Sequence, residues 1–229
     1  NIMQANQDLF DITSKVLIGV KKVLMSEKFK MVLVHGDTST TMAASLAAFY
    51  FKLPVFHVEA GLRTNNINSP FPEELNRQIV TRIANFHFAP SEMARKNLLN
   101  ENVPSEKICI TGNTVIDSLL SIVEKARKAK YPNYLLTELP FLNDKVIGTS
   151  RIILVTGHRR ENFGTGFENV CHALVDIASL YPNDRVIYPV HLNPNVRNPV
   201  NRILSNVENI HLIEPLDYLT FVKLMDISY

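Results

Sequence analysis

The stretch VLVHGDTSTT, residues 32–41, runs from branched apolar residues straight into His35, Gly36 and Asp37, then into a row of hydroxyl side chains. A second apolar run ends on Glu59 in PVFHVEAGLRT, and the polar loop RTNNINSPFPEE that follows delivers Glu73 and Glu74. In open α/β sheets ligands bind in the crevice beyond the carboxyl ends of the strands, so acids that follow successive strands gather at one edge. Burial and like charge raise a carboxyl group toward neutrality, and an acid poised there can take a proton from carbon and return it. Asp37, Glu59 and Glu73 are the candidates for that work. Asp37 has a plainer reading, in which it or Thr38 caps the helix beginning near Thr40. Glu73 has one too, as a favourable first-turn acid after Pro72. Glu59 resists it, because it sits between Val58 and Ala60 directly after an apolar run, with no helix amides to satisfy it. His35 and His57, each two residues before an acid, read as packing or orienting residues.

The second half carries a different chemistry. ILVTGHRRENFGTGFENV places Gly157, His158, Arg159 and Arg160 after an apolar run, then Gly164 and Gly166 at the mouth of a helical pattern. Cationic side chains and a helix N-terminus at a strand's carboxyl edge suit a phosphate. The plainer reading makes Arg159 and Arg160 salt-bridge partners of Glu161 and its neighbours, and His158 a residue orienting its own loop. Neither GxxxxGK[ST] nor a GxGxxG after the first strand is present, so a P-loop and a nicotinamide cofactor have no support. YPVHLNPNVRNPV puts His191 and Asn193 at the end of another strand, with Pro194 and Pro199 expected to shape the loop and helix entry. No metal-ligand cluster of the EF-hand or HExxH kind occurs, so the expected chemistry uses no metal and no cofactor. A cationic side holding a diphosphate, facing an acidic side that works on the attached group, amounts to nucleotide-sugar chemistry.

These residues need elements to carry them. Apolar runs at 31–35, 55–58, 86–89, 108–111, 152–156, 186–190 and 210–213 read as strands. Amphipathic stretches at 10–28, 40–52, 73–84, 91–100, 114–128, 163–181, 195–205 and 218–225 read as helices. Strands apolar on both faces and separated by helices imply parallel sheets between helical layers, the doubly wound α/β architecture. The pattern breaks at 129–150, where Pro132, Pro140 and Gly148 interrupt it. That segment reads as a crossover between an N-terminal domain, 1–148, and a partial C-terminal one, 149–229. The composition, with 46% hydrophobic and 20% charged residues and a net charge of +2, fits a globular protein without a nucleic-acid stripe or a polybasic membrane patch. No apolar run approaches the ~20 residues of a membrane span, and the N-terminus lacks a signal-peptide pattern. Cys109, in the run ICI, and Cys171, in a helical pattern, are expected as buried thiols of a cytoplasmic protein.

Taken together, HGDTSTT, PVFHVEAGLRT, SPFPEELNRQ, ITGNTVIDSL, LVTGHRRENFG and YPVHLNPNV resemble the non-hydrolysing UDP-N-acetylglucosamine 2-epimerases, in order over nearly the whole chain. The resemblance implies a GT-B fold of two Rossmann-like domains, both incomplete here. It implies interconversion of UDP-N-acetylglucosamine and UDP-N-acetylmannosamine by expulsion and re-addition of UDP through 2-acetamidoglucal. Asp37, Glu59 and Glu73 match the family's catalytic acids, and His158 a substrate-contacting histidine beside Arg159 and Arg160. Arg159 and His191 match positions of an activator site for a second UDP-N-acetylglucosamine, in proteins that form homodimers. Family members also have a strand and a glycine-arginine loop before the position of Asn1. After Tyr229 they have a serine-glycine-glycine loop and a glutamate that grip UDP. The expectation is a chain that binds UDP weakly and turns over slowly. A hydrolysing epimerase, a GT-B glycosyltransferase and a catalytically impaired remnant are the alternatives.

Overall fold

The computed structural model describes residues 7–128, 139–142, 149–157 and 164–229. By its contacts the chain divides into two compact units, Asn1–Ile116 and Asp117–Tyr229.

The first unit opens with α1 (Leu9–Ser26), which starts on a reciprocal cap. The Asp8 carboxylate accepts the Asp11 amide at 2.8 Å and the Asp11 carboxylate accepts the Asp8 amide at 3.3 Å. Then follow β1 (Val32–His35), α2 (Ser39–Tyr50), β2 (Val55–Val58), α3 (Glu73–Ile83), β3 (Phe86–Ala89), α4 (Glu92–Asn100), a single 3-10 turn (Ser105–Lys107) and β4 (Ile108–Ile110). The four strands form one parallel sheet in the order β1-β2-β3-β4, so every connection crosses back over the same face. Val34, Val55, His57, His87, Ala89 and Ile108 are buried on that face. Ala48 of α2 and Val80 of α3 pack with Val34 and Val55, while Ala94 and Leu98 of α4 pack with Ala89 and Ile108.

The opposite face differs from the expected two-sided burial. Leu33 is 62% exposed there, and Phe56, Phe86 and Phe88 are half-buried, leaning on one another at centroid distances of 5.2–6.3 Å. Cys109 is exposed on β4, contrary to the expectation of a buried thiol. β4 is an edge strand and only Ile108 of it is buried.

The second unit takes in most of α5 (Thr114–Lys128), whose Arg127 Nε reaches both carboxylate oxygens of Asp226 at 3.1 Å. It continues with β5 (Ile152–Leu154), α6 (Thr165–Leu180), β6 (Arg185–Pro189), α7 (Pro194–Leu204), β7 (Ile210–Ile213) and α8 (Tyr218–Ile227). The strands form a parallel sheet in the order β5-β6-β7. Here both faces are covered. Val186 and Tyr188 of β6 pack with Phe167, Cys171 and Leu174 of α6 and Val196 and Val200 of α7, whereas Ile187 packs with Leu139, Leu142, Ile152 and Leu224. Cys171 is buried as expected. Pro194 opens α7 at a position where a missing amide costs nothing, but Pro199 lies inside the helix rather than at its entry. No helix among the described residues is long and apolar enough to cross a membrane.

The buried face of the first sheet carries an acid-sensitive pair. His57 and His87 are register partners on β2 and β3, each 1% exposed, and each Nδ1 is buried without a hydrogen-bond partner among the described residues. Burial, with the neighbouring His57 adding to it, pushes His87 down to about 4. An unfolded histidine titrates near 6.5, so the folded chain binds the proton less well. Stability from this residue is therefore complete above pH 6.5 and declines as pH falls toward 4, by roughly 3 kcal/mol in all. Urea unfolding of wild type and His87→Gln at pH 7.5, 5.5 and 4.5 checks this. The wild type loses stability faster on acidification, and parallel pH curves for the two proteins would refute the assignment.

Candidate active site

The first unit builds its site where β1 and β2 end. The choice between Asp37 and Thr38 as the cap of α2 resolves in favour of Thr38, whose hydroxyl accepts the Thr41 amide at 3.2 Å. Asp37 is thereby left for other work. Its Oδ2 accepts two hydrogen bonds from Arg77 of α3, from Nε at 3.0 Å and Nη2 at 2.7 Å. Its main-chain carbonyl accepts the Asn76 side-chain amide at 2.8 Å. Among the described residues Oδ1 of Asp37 makes no such bond.

Glu59 follows β2 in a left-handed backbone conformation, φ 66°, which a side-chain-bearing residue adopts at a cost of roughly 1–3 kcal/mol. Its side chain is 26% exposed, and Oε2 lies 3.8 Å from His35 Nε2. A Cβ placed on Gly36, itself at φ 74°, would lie 3.4 Å from the same Oε2. Glu59 thus rests against the residue next to Asp37, and the ends of adjacent strands bring two of the expected acids together. The main chains are stitched there as well, the Gly36 amide donating to the Val58 carbonyl at 3.0 Å.

The two histidines before the acids separate. His57 is buried and its Nε2 meets the Gly36 carbonyl at 2.8 Å, so it orients the β1 exit. Burial is the main cause that lowers its proton affinity, with the Gly36 carbonyl opposing. His35 does not pack: it is exposed and faces Glu59.

Glu73 and Glu74 begin α3, and the structure gives them different jobs. Glu74 is fully buried and accepts the Thr64 amide at 3.1 Å, the Asn65 amide at 3.3 Å and Arg77 Nη1 at 3.0 Å. Burial alone would raise its carboxyl group, but the Thr64 amide, Arg77 and Gln78 together hold it below the usual range. It is a buried anion that pins the loop after β2. Glu73 is only partly buried and makes no hydrogen bond or ion pair among the described residues. Four residues before Arg77, it lies on the same side of the helix as the guanidinium that holds Asp37.

The loop that carries Glu59 is also fixed beyond it. Gly61, at φ 89°, packs directly on α4, and its carbonyl accepts the Asn97 side-chain amide at 2.9 Å. Arg63, its side chain 3% exposed, clasps Glu101 at 2.5 and 2.9 Å and bonds Thr81 at 2.8 Å. Sequence patterns alone miss the roles of Arg77, Glu74 and Arg63. For the first two, the three-residue spacing of Glu74 and Arg77 on one helix face is the signal that could find them.

In the second unit, His191 follows β6 and its Nδ1 accepts the Asn193 amide at 3.1 Å, while Asn193 caps α7 through the Asn195 amide at 2.9 Å. The mouths of α6 and α7 border a cavity of about 510 Å³ lined by Gly164, Glu168, Asn195, Asn198 and Arg202 among others. His158, Arg159 and Arg160 lie outside the described residues.

The family model for UDP-N-acetylglucosamine 2-epimerase matches residues 1–229. The UDP-N-acetylglucosamine 2-epimerase of Salmonella typhimurium is 55% identical over 227 residues, 99% of this chain and 59% of its own length. A crystal structure of the Neisseria meningitidis UDP-GlcNAc 2-epimerase bound to UDP-GlcNAc superposes with a TM-score of 0.94 at 48% identity, covering 100% of this chain and 61% of that one. The Methanocaldococcus jannaschii UDP-GlcNAc 2-epimerase, in complex with UDP-GlcNAc and UDP, gives a TM-score of 0.79 at 32% identity over 100% of this chain and 60% of its own. The chain thus spans about 60% of the length of these relatives, and its two Rossmann-like sheets are incomplete versions of a GT-B-like fold. With the model matched from Asn1 to Tyr229, the chain belongs to the UDP-N-acetylglucosamine 2-epimerase family.

Proposed function

We propose that this chain supplies the acids for reversible C2 epimerisation of UDP-N-acetylglucosamine to UDP-N-acetylmannosamine without hydrolysis. A carboxylate takes the proton from C2 of the sugar, the electrons of that C–H bond form the C1–C2 double bond, and the C1–O electron pair leaves with UDP. 2-Acetamidoglucal and UDP remain bound. A proton then returns to the opposite face of C2 while a diphosphate oxygen re-forms the bond to C1. The C2 proton is not acidic, so leaving-group departure must develop positive charge at C1 as the base acts, and nearby carboxylates stabilise that charge. In this reading Asp37, Glu59 and Glu73 work at the ring. His158, Arg159 and Arg160 steady the departing diphosphate, and Arg159 and His191 contact a second UDP-N-acetylglucosamine that activates the enzyme. The protein works as a cytoplasmic homodimer.

The observation that carries this reading is the pairing at the strand ends. Glu59, partly exposed and held in a left-handed turn, rests against Gly36, whose chain neighbour is Asp37. The relatives captured with UDP-GlcNAc supply the ligand class. The test is incubation with UDP-N-acetylglucosamine in D2O, followed by NMR. It uses the chain alone and the chain extended to family length with the flanking segments of the Salmonella relative. The expected product is UDP-N-acetylmannosamine carrying deuterium at C2, with the nucleotide sugar intact and the faster rate in the extended protein. Accumulation of free UDP and N-acetylmannosamine would establish a hydrolysing enzyme instead. Absence of C2 deuterium in both proteins would overturn the reading.

A further inference from the structure

We infer that Arg77 is a positioning residue for Asp37, selecting which oxygen of that carboxylate faces the substrate. The inference rests on the proposed role of Asp37 at the sugar ring.

Arg77 binds one oxygen of Asp37 twice, Nε at 3.0 Å and Nη2 at 2.7 Å on Oδ2, and leaves Oδ1 without a bond among the described residues. Two charge-assisted bonds converging on a single oxygen fix its location more tightly than one contact does and leave the other oxygen to point elsewhere. The third guanidinium nitrogen, Nη1, is spent on Glu74 at 3.0 Å. Glu74 is fully buried and itself holds the Thr64 and Asn65 amides. Arg77 therefore cannot swing away from Asp37 without leaving a buried anion unpaired. Asn76, on the same helix, holds the Asp37 main chain at 2.8 Å. Consecutive residues of α3 thus grip Asp37 by backbone and by side chain, and α3 also carries Glu73 on its first turn. One rigid helix sets the direction of one acid and bears another, while Glu74 ties it to the loop that leads from Glu59. Rigid support of this kind keeps reacting groups aligned, and a displacement of about 1 Å costs on the order of 10²-fold in rate.

The experiment compares crystal structures and kinetics of wild type, Arg77→Lys and Arg77→Met. Because Arg77→Met strands Glu74, the paired variant Glu74→Gln/Arg77→Met is made as well and leaves no uncompensated buried charge. In both methionine variants the Asp37 carboxylate is expected to rotate away from its wild-type position, and in Arg77→Lys to stay closer to it. With UDP-N-acetylglucosamine, kcat falls about 10²-fold in the methionine variants while KM changes by less than about threefold. Adding Glu74→Gln/Arg77→Met to Asp37→Asn costs nothing beyond what Glu74→Gln alone adds to it, because the arginine acts through that carboxylate. An unmoved Asp37 in the methionine variants, or losses that multiply with Asp37→Asn, would overturn the inference. A wild type with no turnover in any form defeats the proposed function, and the Asp37 geometry still decides the role of Arg77.

Discussion

Glu59→Gln is expected to lower deuterium incorporation at C2 of UDP-N-acetylglucosamine by about 10²–10⁴-fold, the range that general acid–base groups contribute. Glutamine has nearly the same shape, so the left-handed turn at φ 66° and the contact with Gly36 are preserved. What disappears is the ability to accept or deliver a proton, together with the negative charge beside the ring. The fold has little at stake. Apart from the 3.8 Å approach to His35, no hydrogen bond or ion pair holds this carboxylate among the described residues. Thermal stability should accordingly stay within about 0.5 kcal/mol of wild type. Asp37→Asn provides the contrast, since that substitution also weakens the Arg77 clasp and moves structure and chemistry together. The assay is the D2O exchange on the chain extended to family length, with substrate saturation checked so that kcat is read separately from KM. A Glu59→Gln protein retaining more than a tenth of the wild-type exchange rate would remove Glu59 from the chemistry.

The strand and helix pattern was readable because its periods are local. The site was readable only in part because its contacts are not. Asp37 and Thr38 are both good capping residues, and no short-range rule says which one takes the amide. The answer depends on Arg77, forty positions away, which claims the aspartate. Glu73 and Glu74 are chemically identical neighbours, and only the Thr64 and Asn65 amides, delivered by a loop nine or ten residues back, make one a buried anion and leave the other open. The alternation in VFHV and FHFA is visible in the sequence, but hydrophobicity alone would bury the phenylalanines. The structure buries His57 and His87 beneath the helices and leaves the phenylalanine face half-open. Burial follows which face the crossovers cover, and the order of four strands sets that. The same applies to Cys109: ICI looks like a core strand until its place at the sheet edge is known. Apolar runs mark strands reliably, whereas their neighbours decide what is inside.

The second large effect tests how the Glu59 loop is held. Gly61→Ala is expected to destabilise the first unit by roughly 3–5 kcal/mol, and to reduce activity through Glu59, two residues upstream. At φ 89° the new side chain is strained whatever space surrounds it. Its Cβ would also fall 2.3 Å from the Ala94 carbonyl oxygen, 2.8 Å from the Ala94 carbonyl carbon and 2.9 Å from Leu98 Cγ. The nearest of these atoms belong to the backbone of α4 and cannot rotate aside. Shifting α4 would open the cluster that Ala94 and Leu98 form with Ala60, Ala89 and Ile108, and would pull on the Asn97 bond to the Gly61 carbonyl. Arg63, clasped to Glu101 and Thr81, blocks the loop from yielding on the other side. Gly112→Ala separates the two causes. Gly112 has φ 76°, but an added methyl group there would meet nothing within 4 Å among the described residues, so it bears the backbone cost alone, about 1–2 kcal/mol. Urea midpoints of the two variants against wild type give the answer. Close packing on α4 demands the larger loss at Gly61, and equal losses at both glycines would mean that backbone conformation, not contact with the helix, fixes the turn that presents Glu59.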